Sequence, residues 1–263
     1  MSDNNAMTLE QLEQRVAAIA PARRYDPFSR QLSYDDLMVL YDVWRPLLKL
    51  ESCEKSHIRY WQHRVTNIEQ NCAGRMAGNL HEAVLRMMVA VATQGSSFRM
   101  LEIGTLFGVN AAATWDIAAC THDTATLTIV DPLDGYYGAS RRDVATGLKI
   151  TRQTVERNLR HVGVPVDAVQ IVQGMSESPH AIAKAAAGTY NYMFIDGDHS
   201  YEGVRRDWAN YGRLLEPGGY VLFDNYRDPS WPEVTRAVDE IIEDATMEYL
   251  GHAWCSAVFR KPL

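Results

Sequence analysis

Cysteine is scarce in this chain. Its four residues, Cys53, Cys72, Cys120 and Cys255, lie far apart and form no C-x-x-C pair. That spacing excludes a disulfide framework and a zinc ribbon and leads us to expect free, mostly buried thiols. Long apolar runs are missing as well. The densest, Met87 to Ala92, falls well short of the roughly 18 uncharged apolar residues that a membrane span requires. Met1 to Glu10 lacks the basic-then-apolar order of a secretory signal, so a cytoplasmic location and no membrane partner are expected. Positive charge is in deficit, with 26 Lys and Arg against 33 Asp and Glu, a net charge of −7. Arg141-Arg142 and Arg205-Arg206 are too brief to form a basic arm, which argues against a nucleic-acid partner. Ten Pro and 17 Gly are too few for a fibrous or disordered chain.

What remains is a globular chain of 263 residues, long enough for one large domain or one domain with an appendage. Two regions read differently. Over 1–95 the period is helical: Leu9, Leu12, Val16 and Ile19 share one helix face starting near the cap candidate Thr8. Tyr34 to Leu50 and His81 to Thr93 read as further helices, and no strand signal precedes Ser97. From Phe98 onward, short apolar runs (Arg99 to Ile103, Leu127 to Val130, Val169 to Val172, Tyr192 to Ile195, Tyr220 to Phe223) alternate with helical stretches. Those stretches are Asn110 to Ala119, Val144 to His161, Pro179 to Ala187, Glu202 to Leu215 and Glu233 to Glu243. Near-continuous apolar strands joined through helices imply a parallel sheet covered on both faces. Two last strands, Met247 to Leu250 and Ala253 to Arg260, are joined by too short a turn to be parallel. The predicted architecture is α/β: seven strands, parallel except for a C-terminal antiparallel hairpin, with residues 1–95 a helical cap and 96–263 the sheet domain.

Ligands of open parallel sheets bind beyond the carboxyl ends of the strands. The first such end reads Met100-Leu101-Glu102-Ile103-Gly104-Thr105-Leu106-Phe107-Gly108-Val109-Asn110. Gly104 and Gly108 permit a tight turn, and Asn110 opens a helix. The stretch lacks the middle glycine of the dinucleotide fingerprint and the Gly-Lys pair of a P-loop, and Glu102 would repel a phosphate. It resembles the first motif, E-x-G-x-x-x-G, of the class I S-adenosylmethionine-dependent methyltransferases, whose cationic cofactor suits a carboxylate. The resemblance implies that Glu102, Gly104, Thr105, Gly108 and Asn110 surround the amino-acid end of the cofactor. It also implies that Asp131, ending the second strand, accepts the two ribose hydroxyls. After the third strand, Met175 and Ser176 stand where this fold holds adenine, although Met175 reads equally well as core filler.

The most specific stretch is Tyr192-Met193-Phe194-Ile195-Asp196-Gly197-Asp198-His199-Ser200-Tyr201, followed later by Asp224-Asn225. Acids at the ends of two adjacent strands offer hard oxygens that suit Mg²⁺. The set Asp196, Asp224 and Asn225 resembles the metal triad of the catechol and caffeoyl-CoA type O-methyltransferases. The DGDHSYEGVRRDW and LLEPGGYVLFDN segments resemble bacterial natural-product sugar and polyketide O-methyltransferases. The likeness covers about Arg99 to Tyr226. It implies that Asp196, Asp224 and Asn225 hold a divalent ion and that Asp196 also borders the cofactor. His199 stands where the catechol-type families carry a lysine, which leaves the general base open between His199 and Asp198. Histidine suits the task because its ordinary pKa lies near neutral pH. The competing readings are structural: Asp198 as a helix cap, Asp224-Asn225 as a turn, and His57 and His63 as core-edge residues. Pro217-Gly218-Gly219 reads as the turn launching a strand, and Tyr136-Tyr137 and Tyr226 to Trp231 as aromatic loops at the rim.

These residues lead to an expected S-adenosylmethionine- and Mg²⁺-dependent O-methyltransferase acting on a small hydroxylated metabolite. A metal-free methyltransferase using His199 or Asp198 on oxygen, nitrogen or carbon is the alternative. A non-catalytic binding protein is disfavoured by the intact set of acids. Neither the acceptor nor the oligomeric state, including whether the chain is a homo-oligomer, is legible in the sequence.

Overall fold

The computed structural model describes residues 31–134, 142–143 and 145–263. The expected helix from Leu9 to Ile19 and the pair Tyr136-Tyr137 lie outside the described residues. Seven strands form one sheet: β1 (Ser97–Ile103), β2 (Thr124–Asp131), β3 (Val169–Gln173), β4 (Tyr190–Ile195), β5 (Leu215–Phe223), β6 (Glu248–Ala253) and β7 (Ser256–Arg260). Their spatial order is β3-β2-β1-β4-β5-β7-β6. The first five are parallel, and β7 pairs antiparallel with both β5 and β6. The switch in strand order falls between β1 and β4, where an open parallel sheet forms its ligand crevice.

Side-chain alternation explains the two cores. On β4, Tyr192 and Phe194 join one cluster with Met100, Leu127 and Ile129, whereas Met193 and Ile195 join another with Leu101, Ile103 and Val130. Every residue of β4 is buried, as expected for a strand covered on both faces. The first face is covered by α2 (Lys55–Asn71), α3 (Leu80–Ala92), α4 (Val109–Thr121) and α5 (Arg152–Val162). The second is covered by α6 (Pro179–Ala185), α7 (Tyr201–Tyr211) and α8 (Pro232–Glu243). Ala111, Ala112 and Ala113 of α4 are all buried, and their small side chains let α3 and α4 approach closely.

The first described helix, α1 (Tyr34–Met38), is capped by Ser33 and Asp36. It continues through a π-helical stretch, Val39–Trp44, and a closing turn, Arg45–Leu47. The single predicted helix from Tyr34 to Leu50 is thus broken in its ladder, where Pro46 lacks an N–H, and it ends where Lys49 (φ +56°) turns left-handed. Three other expectations are corrected. The helix expected from Val144 begins only at Arg152, because Gly147 (φ +69°) holds a turn and Thr151 caps the helix with its hydroxyl. Pro217-Gly218-Gly219 lies inside β5, where Gly218 (φ +78°) bends the strand and its N–H bonds the Lys261 carbonyl. The thiols are free but only Cys53 is buried; Cys72 and Cys255 are half-buried and Cys120 is exposed. Among the described residues no helix is long and apolar enough to cross a membrane.

The helices of the first third are stitched to the sheet through α5. Asn158, 1% exposed, accepts from the Ala73 N–H (2.8 Å) and donates to the carbonyls of Ala73 (2.8 Å) and Phe107 (2.9 Å). Replacing it would strand the buried Phe107 carbonyl and two part-buried backbone groups of Ala73, a buried group costing about 1–3 kcal/mol when unsatisfied. Asn158→Ala should therefore lower unfolding free energy by about 2–4 kcal/mol in urea titration. A loss below about 1 kcal/mol would mean that water takes over these bonds.

Candidate active site

Four non-glycine residues adopt left-handed backbone at the carboxyl ends of the strands: Leu106 (φ +54°), Leu133 (+51°), Asn225 (+59°) and Arg227 (+61°). Such conformations carry a cost of about 1 kcal/mol or more each, and they cluster where strand ends turn sharply to present function. The turn after β1 is the tightest. A side chain at Gly104 (φ +79°) would bring its Cβ to 2.0 Å from the Asp196 carbonyl oxygen, so only glycine lets the ends of β1 and β4 meet. Gly108 (φ +73°) caps α4, and a Cβ there would lie 2.8 Å from Val155 Cγ1.

This turn brings Glu102, Thr105 and Asp131 together. The Thr105 hydroxyl donates to Glu102 Oε2, and the Thr105 N–H donates to Asp131 Oδ2 (2.7 Å). The Leu133 N–H holds the other Asp131 oxygen (2.6 Å). Asp131 is thereby fixed in one orientation while each oxygen keeps a lone pair for a further donor, as a ribose diol would require. Burial raises its pKa, and the N–H groups of Thr105, Leu133 and Leu106 oppose the rise. Glu102 is fully buried, and its Oε1 has no hydrogen-bond partner among the described residues. Burial pushes its carboxyl up to about 8, the charges of Asp196 and Asp131 adding to the rise and Thr105 and Arg86 opposing it. A buried acceptor of this kind suits a cationic ligand, which would hold it ionised.

The second cluster stands at the ends of β4 and β5. His199 is buried; its Nε2 lies 3.1 Å from Asp196 Oδ1, and its ring meets Trp231 edge-on at 4.5 Å. Burial together with the nearby Asp224 charge raises the Asp196 carboxyl to about 6, against the pull of His199 and Arg86. Asp224 Oδ1 accepts from Arg86 Nη2 (2.9 Å) and the Ser256 hydroxyl (3.2 Å). Its Oδ2 and the Asn225 side-chain amide make no hydrogen bond within the described residues. Asp196 Oδ2, Asp224 Oδ2 and the Asn225 amide oxygen are therefore three hard donors from adjacent strand ends, a set that fits Mg²⁺. No group of three or more His, Cys, Asp or Glu with ligand geometry occurs among the described residues, so any ion here depends on Asn225 as the third donor.

Three candidates from the sequence take other partners, and a fourth, Met175, is exposed. Asp198 is exposed and folded onto Ser200, accepting from its N–H (2.9 Å) and its hydroxyl (2.9 Å). Asn110 accepts from Arg86 Nη1 (3.1 Å) and donates to the Ala77 carbonyl (3.2 Å), which ties α4 to α3. Ser176 is anchored by Tyr211, whose hydroxyl donates to its carbonyl (2.6 Å), and its side chain lies on the buried Asp207. Met175 is 53% exposed and so is not core filler. Away from the site, His57 caps α2 by accepting from the Glu54 N–H (2.8 Å). Arg86 was overlooked in the sequence. Its only signal there was a charged residue on an otherwise apolar stretch of α3, and its partners lie 24 and 138 positions away.

The sheet order, the glycine turn and the acid at the second strand end define the Rossmann-like fold of class I S-adenosylmethionine-dependent methyltransferases. Residues 101–226, just under half of the chain, match the model of a family described as a methyltransferase domain, and the fold is that of class I methyltransferases. Similar solved structures agree in fold. Cofactor-bound Rv0187 from MTB superposes with a TM-score of 0.54 at 17% identity, over 88% of this chain and 98% of that one. CalS11, a TDP-rhamnose 3'-O-methyltransferase of calicheamicin biosynthesis, gives 0.52 at 14% identity over 77% and 93%. An O-methyltransferase from Bacillus cereus in complex with SAH gives 0.51 at 12% identity over 88% and 98%. In sequence, the uncharacterized protein R132 of Acanthamoeba polyphaga mimivirus is 45% identical over 53 residues, 20% of this chain. That match spans 24% of the curated relative's length.

The raised carboxyls make stability depend on pH. Glu102 titrates at about 8 in the folded chain against an ordinary 4.5, so between these values the folded state keeps a proton that the unfolded state has released. The ligand-free protein should then lose stability as pH rises through that window. Asp196 (about 6) and Asp207 (about 7) act in the same direction. Glu102→Gln should flatten the decline above about pH 6 in thermal melts of ligand-free protein. A melting curve that keeps its full slope in the variant would show that Glu102 is ionised without a ligand.

Proposed function

We propose that the protein transfers a methyl group from S-adenosylmethionine to a hydroxyl oxygen of a small metabolite, assisted by a hard divalent ion such as Mg²⁺. The observation that carries this reading is the His199–Asp196 pair, set beside Asp224 and joined through Gly104 to the Glu102–Asp131 turn. O-methyltransferases among the structural relatives support the choice of oxygen. The cofactor supplies the methyl group, and a divalent ion held by Asp196, Asp224 and Asn225 would make a bound hydroxyl easier to deprotonate.

The chain's own residues divide the remaining work. Asp131, oriented by the Thr105 and Leu133 N–H groups, binds the ribose, and Glu102 faces the cationic end. His199 accepts the hydroxyl proton. The Asp196 carboxylate, 3.1 Å from Nε2, stabilises the imidazolium that forms. Trp231 packs on the ring and limits water at the base. Asp198 is less suited to this task, since Ser200 engages both its oxygens. Residues 1–95 are proposed to shape the acceptor side, because the strand ends are already occupied by cofactor and base positions.

His199→Ala should lower turnover by about 10²- to 10⁴-fold, the usual worth of a general base, while calorimetry finds S-adenosylmethionine affinity within about threefold of wild type. Asp131→Ala should weaken that affinity tenfold or more, as expected for losing hydrogen bonds to a charged group; unchanged affinity would remove Asp131 from the ribose site. A panel of catechols, sugars and enols, read by S-adenosylhomocysteine release, tests the acceptor class. Methylation of amines or carbon alone would overturn the choice of oxygen.

One observation favours a metal-free course of the same transfer: Arg86 already places a permanent cation on Asp224. Chelator decides between the two. Loss of activity in chelator and its return with Mg²⁺ supports the ion, and full activity in chelator supports the guanidinium alone.

A further inference from the structure

Arg86 lies on α3, in the helical first third, with 1% of its side chain exposed. A buried guanidinium needs compensation on all its faces, and this one reaches three separate parts of the sheet. Nη2 donates to Asp224 Oδ1 after β5 (2.9 Å), and Nη1 donates to Asn110 Oδ1 at the start of α4 (3.1 Å). Its Cζ also lies over the Phe194 ring of β4, 4.3 Å from the centroid. One turn earlier on α3, Glu82 accepts from the Cys255 N–H (3.0 Å), which docks the β6–β7 turn on the same helix. The Ser256 hydroxyl, next along, is the second donor to Asp224 Oδ1. Asp224 is thus gripped through a single oxygen by donors from α3 and β7, and only Oδ2 is left for anything bound beyond the strand end.

We propose that Arg86 is a positioning residue for methyl transfer: it sets the rotation of the Asp224 carboxylate so that Oδ2 serves the acceptor side. It acts through Asp224 and touches neither cofactor nor acceptor, being closed off from the site. This inference rests on the O-methyltransferase reading above and assigns to the helical first third a direct part in the geometry of the reacting end. It also predicts that Arg and Lys are not interchangeable here. A lysine carries the charge but lacks the planar fork that bonds Asp224 and Asn110 together while stacking on Phe194.

Two variants test this. Arg86→Lys preserves the buried charge and should stay folded, with S-adenosylmethionine affinity by calorimetry within about threefold of wild type. Its turnover should fall at least tenfold with little change in KM, and its affinity for Mn²⁺ alone, titrated calorimetrically, should fall about as much. The double variant Arg86→Met with Asp224→Asn removes both charges of the pair together, so that Asp224 is not left as an ion without its partner. Its residual turnover should match that of Asp224→Asn alone, because both changes interrupt one path. Turnover and Mn²⁺ affinity within threefold of wild type in Arg86→Lys would overturn the proposal, as would a further tenfold loss in the double variant. Failure of the underlying reading is seen separately, as wild-type protein that binds S-adenosylmethionine yet methylates no hydroxyl.

Discussion

The packing of one guanidinium among four carboxylates organises the reacting end of this molecule. Arg86 is surrounded by the charges of Glu82, Asp224 and Asp196 and lies close enough to Glu102 to stabilise its ionised form. A lone buried charge of either sign would be prohibitively costly, and one cation cannot neutralise four acids. The imbalance shows in the raised carboxyls of Glu82, Asp196 and Glu102, each lifted chiefly by burial. A site with surplus acid in a low-dielectric setting is poised to receive cations. A sulfonium cofactor with its amino group, and a divalent ion at the β4–β5 edge, are species of the charge that such a site favours.

The same charge cluster links regions that are distant in the chain. Helix α3 contributes Glu82 and Arg86, Asp196 and Asp224 directly follow β4 and β5, the β6–β7 turn adds Cys255, and β7 adds Ser256. Trp254, at the tip of that turn, stacks on His81 of α3 (4.1 Å) and donates to Asp36 of α1 (3.1 Å). The described helices of the first third therefore share one continuous core with the sheet.

Strain and close approach serve the same end. Leu106, Leu133 and Asn225 hold left-handed backbone at three strand ends, and Gly104 lets the β1 and β4 turns meet where any side chain would clash. These turns place the backbone N–H groups of Thr105 and Leu133 on Asp131 and bring the His199–Asp196 pair within reach of the same crevice. Their cost is borne by the well-packed layers beneath, in which β4 is wholly buried.

Much of this was legible in the sequence, for physical reasons. Apolar runs alternating with helical periods allow only a parallel sheet covered on both faces, and a short final connection forces an antiparallel end. The acids Glu102, Asp131, Asp196 and Asp224 were recognisable because strand ends are where such folds bind, and strand ends can be read from local pattern. The fates of Asp198, Asn110 and Ser176 were not, since a polar side chain takes whichever partner the fold brings near. Ser200, Arg86 and Tyr211 were those partners. Arg86 escaped notice for the same reason, as its meaning lies entirely in contacts made across the chain. Hydrophobic period and turn chemistry are local and so determined the architecture from sequence alone. The pairing of buried charges is long-range, and only the tertiary structure could decide it.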